Sequence, residues 1–172
     1  MNIIDAILYQ CRINPAVPAI CAPGTALNVV SYGRLERFIM SVAGRAAKLG
    51  LTSGTTTAIL CDDPVLHSAL LLGLTHAGIA TVSLRCAQLP AGVVIQAVIS
   101  DRDAVFPMGP TVLRADQAWL TDTAPAQRTA RLHPDALCRL ILTSGTTGNA
   151  KCVALTHDRI WQRLALHNFA LG

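Results

Sequence analysis

The sequence predicts an open α/β fold in three layers, a mostly parallel sheet flanked by helices. Three observations point there. Short apolar runs without charge, the length of buried strands, alternate with longer segments whose apolar residues recur at helical spacing. The longer segments begin on cap residues, and glycine or proline follows their ends. Hydrophobic residues make up 52% of the 172 and aromatics only 4%. The core is therefore aliphatic, and it is large enough for one domain over 1–172 without disulfides or metal.

The elements follow in order. Asn2 caps a first helix on which Ile3, Ile4, Ile7, Leu8 and Cys11 keep helical spacing, and Asn14-Pro15 and Pro18 stop it. A short strand over 19–22 turns at Pro23-Gly24 into a second over 27–30. Ser31 caps a long helix with Leu35, Phe38, Ile39, Val42, Ala46 and Leu49 on one face, ended by Gly50. Residues 57–61 read as a buried strand. Asp63-Pro64 then supplies an N-cap and a first-turn proline for a helix reaching Ala77. A strand over 80–84 follows. Next come a helix over 91–100, with Val93, Val94, Ala97 and Val98 facing inward, and a strand over 104–106. Residues 107–134 read as mostly polar connectors, with a candidate strand at 111–114. Order returns with the apolar run 137–142, interrupted by Arg139, then a strand over 153–156 and a helix from Asp158 onward. The strands near 57–61, 80–84, 104–106 and 137–142 are expected in one largely parallel sheet.

Composition excludes several classes. Fourteen basic against ten acidic residues leave +4, spread without a Lys/Arg run, so no nucleic-acid footprint is written here. The cysteines at 11, 21, 61, 86, 138 and 152 show neither CxxC nor zinc-ligand spacing. They read as free, mostly buried thiols in a reducing, cytoplasmic setting, and Asp5 precedes any basic residue, unlike a secretory leader. The 21 residues from Pro64 to Leu84 carry no formal charge, long enough to cross a bilayer. His67, Ser68, Thr75, His76, Thr81 and Ser83 punctuate them, however, and Gly78 falls where a helix would end, so a buried helix and strand explain the run better than a membrane span.

The stretch that carries chemistry is Thr143-Ser144-Gly145-Thr146-Thr147-Gly148-Asn149-Ala150-Lys151. Its glycines let successive backbone N–H groups turn toward one point, its hydroxyls add rotatable donors, and Lys151 adds a point charge suited to polyphosphate. It is not a Walker A loop, because two residues separate Gly148 from Lys151 and a strand follows rather than a helix. Thr52-Ser53-Gly54-Thr55-Thr56 has the same opening letters without the second glycine or the lysine, and reads as a plain connector.

Residues 140–153 resemble the phosphate-loop signature of the adenylate-forming, or AMP-binding, superfamily, which includes acyl-CoA synthetases and the adenylation domains of nonribosomal peptide synthetases. The usual pattern is Thr-Ser-Gly-(Ser/Thr)-Thr-Gly-x-Pro-Lys-Gly. This chain departs from it at Ala150, where the pattern has Pro, and at Cys152, where it has Gly. Weaker likenesses run upstream. Residues 15–20 resemble the family's opening Pro-x-x-x-Ala, and Ser31-Tyr32 into Leu35 resembles its Thr-Tyr-x-Glu-Leu with Arg34 for Glu. Ala77-Gly78 into the strand 80–84 resembles its Ala-Gly-x-x-x-x-Pro element.

The resemblance implies the N-terminal subdomain of an acyl-CoA synthetase-like fold and a two-step reaction. A carboxylate attacks the α-phosphorus of ATP, with Mg, and a thiol of coenzyme A or a carrier then takes the acyl group. Thr143, Ser144, Gly145, Thr146, Thr147, Gly148 and Lys151 would be the phosphate contacts. The family's adenine motif, magnesium Glu, ribose Asp and lid Lys lie further along than these residues reach. The chain is therefore expected to be the N-terminal portion of such an enzyme and inactive alone. The alternative is a non-catalytic relative that binds phosphate or oligomerises. A homo-oligomer is expected through the final segment, with Trp161, Leu164, Leu166 and Phe169 apolar.

Each residue has a plainer reading beside it. Lys151 could be a solvated loop charge. Cys152 reads as a small buried side chain rather than a nucleophile, and His157 as a helix-start hydrogen bonder rather than a base. His67 and His76 read as packed or hydrogen-bonded, and Asp62-Asp63 as a helix cap rather than a carboxylate pair.

Overall fold

A computed structural model of the chain describes residues 2–107, 109–121, 132–143 and 151–171, with side chains described to residue 166. The first helix, α1 (Ile3–Ile13), starts where Asn2 accepts the Ile4 N–H at 3.0 Å on its side-chain oxygen. Strands β1 (Pro18–Cys21) and β2 (Val29–Ser31) form a small antiparallel pair. Ser31 then caps α2 (Tyr32–Lys48), accepting the Arg34 N–H, and Gly50 follows its end at φ 73°. The strand β3 (Thr56–Leu60) leads into α3 (Pro64–His76), whose first turn is held by the Asp63 carboxylate on the N–H groups of Val65 and Leu66, at 2.8 and 3.1 Å. Further on lie β4 (Ala80–Ser83), β5 (Ala97–Ser100), β6 (Thr111–Arg114), β7 (Leu137–Thr143), β8 (Lys151–Thr156) and α4 (His157–Leu171).

Six strands make one sheet in the order β6-β5-β3-β4-β7-β8, parallel throughout except for β8, which returns antiparallel to β7. Alternate residues of the central strands face two cores. On one face Ile59, Ala97 and Ile99 pack with Leu8, Phe38, Ile39, Val42, Leu70 and Leu74 of α1, α2 and α3. On the other, Ala58, Leu60, Val82, Val98 and Leu140 are covered by Leu89, Val93, Ile95, Ala104 and Phe106 from loops.

Three expectations are corrected. There is no helix over 91–100. Ala97–Ser100 is a central strand buried on both faces, and Val94 is 89% exposed rather than facing inward. An unbroken apolar run carries no period to tell strand from helix. The free edge of β3 decides the matter, pairing Ala58 with Val98 and Ile59 with Ile99. Residues 104–106 are not a strand. Pro107 and Pro110 cannot donate to a ladder, so the chain turns, with the Gly109 N–H bonded to the Phe106 carbonyl, and pairs with β5 only from Thr111. Lastly, residues 107–134 are not merely connectors. A short 3-10 helix over Gln117–Leu120 places Trp119, fully buried, among α2 and α3.

The uncharged run 64–84 is a helix and a strand, and among the described residues no helix is long and apolar enough to cross a membrane. The six cysteines are free. Cys11 and Cys138 are buried, Cys61 and Cys152 half-buried, and Cys21 and Cys86 exposed, so fewer are buried than expected.

Candidate functional site

The sheet brings its carboxyl ends to one rim. After β3 the chain crosses through α3 on the helical face; after β4 it crosses along the opposite face, where Leu84, Leu89, Val93 and Ile95 pack. Connections leaving neighbouring strands on opposite faces open a crevice at those carboxyl ends, the usual place for a ligand in an open α/β sheet.

The β7–β8 hairpin brings the end of β7 and the start of β8 to the same rim. Thr143 and Lys151 are its last register pair, and the Thr143 hydroxyl donates to the Lys151 carbonyl at 3.2 Å. Lys151 is exposed. The structure thus brings the two ends of the predicted cradle together; Ser144, Gly145, Thr146, Thr147 and Gly148 lie outside the described residues. The similar stretch at 52–57 is a turn, with Gly54 at φ 84° and the Thr55 hydroxyl on Gln96, that feeds β3.

Asp62 and Asp63 are not a free carboxylate pair. Asp63 caps α3, and Asp62 pairs with Arg102 at 2.8 Å. Asp101 ties the same loop down, its Oδ2 accepting the backbone N–H groups of Asp62 and Asp63 at 2.8 and 2.9 Å. Burial, with Asp101 close by, pushes the Cys61 thiol up to about 12, which removes it as a thiolate nucleophile. Cys152 sits opposite Leu142 and packs on the loop-covered core, as a small side chain would. The cap of α4 is Thr156, whose hydroxyl accepts the Arg159 N–H at 3.2 Å. His157 bonds at the helix start through its backbone N–H, which donates to the Ala136 carbonyl, while its buried ring Nδ1 has no partner among the described residues. Burial holds its pKa down, and does the same for His67 and His76. Among the described residues, no three of His, Cys, Asp and Glu are grouped to hold a metal ion.

Sequence reasoning passed over one polar network. His67 on α3 meets the Ser83 hydroxyl at 2.8 Å, and Arg139 donates to Ser83 at 2.8 Å and to Thr81 at 3.2 Å. The available signal was a charged residue, Arg139, interrupting an otherwise apolar strand.

A family model described as AMP-binding enzyme matches residues 9–171. Malformin synthetase mlfA of Aspergillus brasiliensis is 28% identical over 173 residues, covering 91% of this chain and 3% of that protein. Adenylate-forming reductase 03009 of Coprinopsis cinerea is 25% identical, over 95% of this chain and 17% of its own length. Among solved structures, o-succinylbenzoate CoA synthetase (MenE) of Bacillus subtilis superposes with a TM-score of 0.81 at 17% identity, over 100% of this chain and 37% of that one. VinN, in complex with L-aspartate, gives 0.77 at 20% identity, over 91% and 48%. The chain therefore spans a small fraction of these relatives and under half of each solved chain.

Proposed function

This chain belongs to the AMP-binding enzyme family, and from that premise we propose that its 172 residues form the N-terminal, phosphate-holding portion of an ATP-dependent carboxylate-adenylating ligase. The observation that carries this is the β7–β8 hairpin, which sets Thr143 and Lys151 together at the carboxyl rim of a parallel sheet. Thr143, Ser144, Gly145, Thr146, Thr147, Gly148 and Lys151 are the phosphate contacts of this reading. Hydroxyl and backbone donors with one lysine fit phosphate oxygens. Magnesium has no such donor set among the described residues, so no step is assigned to it.

Bound ATP supplies the activated phosphorus that the acid's carboxylate attacks. The chain's own part is to hold the β- and γ-phosphates still and to neutralise charge as pyrophosphate departs, through the loop donors and the Lys151 ammonium. In this reading the carboxylic acid is the first substrate, a coenzyme A or carrier thiol is the acceptor, and the free cysteines suit a cytoplasmic setting. These residues alone bind without turning over.

Calorimetry with pyrophosphate and ATP–pyrophosphate exchange on the same preparation test it. Wild type binds pyrophosphate while exchange stays at background; Lys151→Ala weakens binding about tenfold or more, the loss of one charge-assisted contact. Equal binding by the variant reduces the loop to a connector, and acid-dependent exchange overturns the assignment of inactivity.

A second reading, an oligomerising domain, draws on the exposed Leu164 and Leu166 of α4, 45% and 72% accessible. Light scattering over a concentration series is expected to give a mass above the monomer that Leu166→Glu lowers. A monomer at every concentration removes this reading.

A further inference from the structure

Arg139 is half-buried on the helical face of the sheet, and no described carboxylate answers its charge. The register sets its position. Thr57, Thr81 and Arg139 lie abreast across β3, β4 and β7, and Ile59 lies abreast of Ser83, so Arg139, Thr81 and Ser83 share the face that carries α3. Both of its described bonds go to neutral hydroxyls, Oγ of Thr81 and Oγ of Ser83. A guanidinium carries more N–H donors than those two bonds consume. Burial lowers the pKa of Arg139, and the opposing influence comes from the neighbouring Cys138 thiol rather than from a carboxylate.

The side chain lines a pocket at the sheet rim together with Ser83, Arg85, Ile141 and Thr143. Among the described lining residues two are arginines and none is acidic, and Ile141 adds an exposed apolar surface. Ser83 is held from two sides: its oxygen accepts from Arg139, and the same hydroxyl lies 2.8 Å from Nε2 of His67. The Arg139–Ser83–His67 chain therefore fixes the guanidinium before anything binds. A pre-set, desolvated cation without a counter-charge, beside an apolar surface, is the complement of an acid with a hydrocarbon body. Ser83 stands where the family pattern quoted above has proline, so the motif likeness does not supply this network.

We infer that the pocket is a carboxylate-binding site, in which Arg139 takes the carboxylate of a small organic acid whose apolar part lies over Ile141. It adjoins the phosphate loop at Thr143 but does not use Lys151.

Thermal unfolding and NMR with butyrate and benzoate, against chloride at equal ionic strength, test it. In wild type both acids raise the Tm saturably and shift the His67 ring signals. Arg139→Met abolishes both responses, and Arg139→Lys, which keeps the charge but not the fork, weakens affinity at least about tenfold. Lys151→Ala responds to the acids as wild type does, whether or not it still binds pyrophosphate, so failure here and failure of the loop assignment are read apart. The inference is overturned if chloride matches the acids in wild type, if the Arg139→Lys protein responds undiminished, or if inorganic phosphate rather than carboxylate shifts His67. Should Arg139→Met fail to fold, the lysine variant decides alone.

Discussion

Trp119→Ala is expected to destabilise the protein by about 3–5 kcal/mol, the usual cost of removing a large buried aromatic. The indole is fully buried against α2 and α3, its N–H donates to the Arg114 carbonyl at 3.0 Å, and the Arg45 guanidinium lies 5.2 Å from the ring centroid. The backbone there is also held, since the Ser41 hydroxyl donates to the Trp119 carbonyl at 2.8 Å. One substitution thus opens a cavity and leaves both the Arg114 carbonyl and Arg45 without their partner. Domains of this size are stable by about 5–15 kcal/mol, so the loss consumes a large share. Urea unfolding measures it. A loss below about 1 kcal/mol would mean that the 3-10 helix is not anchored where the structure puts it.

Gly73→Ala sets two effects of opposite sign against each other. Helix propensity alone favours alanine by about 1 kcal/mol in the middle of α3. A Cβ at Gly73 would lie only 2.4 Å from Cβ and 2.5 Å from Cγ1 of Val42, and 3.0 Å from the Ile39 carbonyl oxygen. Val42 is fully buried on α2, so the only relief is for the two helices to part. Overpacking of this kind costs about 1–3 kcal/mol, and backbone against β-carbon puts this case at the upper end, so the net effect is destabilising. Val42→Ala in the same chain is expected to recover part of the loss, giving a favourable coupling in a double-mutant cycle. A more stable Gly73→Ala protein would show that α2 and α3 do not approach this closely.

What the sequence by itself determined was local. Asn2, Ser31 and Asp63-Pro64 start their helices where expected because a cap is a contact between a side chain and N–H groups two or three residues on. The strands at β3 and β4 and the two apolar runs that flank the stretch from Thr143 to Lys151 were legible because turn residues and a cap bound each run, while the antiparallel pairing of β7 with β8 was not. The proposed phosphate cradle was read from composition, since the chemistry it calls on lies in one continuous stretch.

Tertiary structure decided what depends on partners far away in the chain. Residues 97–100 became a strand because β3 offered a free parallel edge, and nothing within those residues records that. Trp119 became core because α2 and α3 left a space for it, although the surrounding sequence is polar. Arg139 looks in sequence like a flaw in a buried strand. Only the register that sets it beside Thr81, together with α3 bringing His67 to Ser83, makes it part of a fixed hydrogen-bond chain facing a pocket. Each of these is a pairing across dozens of residues. The free energy of such a pairing belongs to the folded arrangement, and no local signal encodes it.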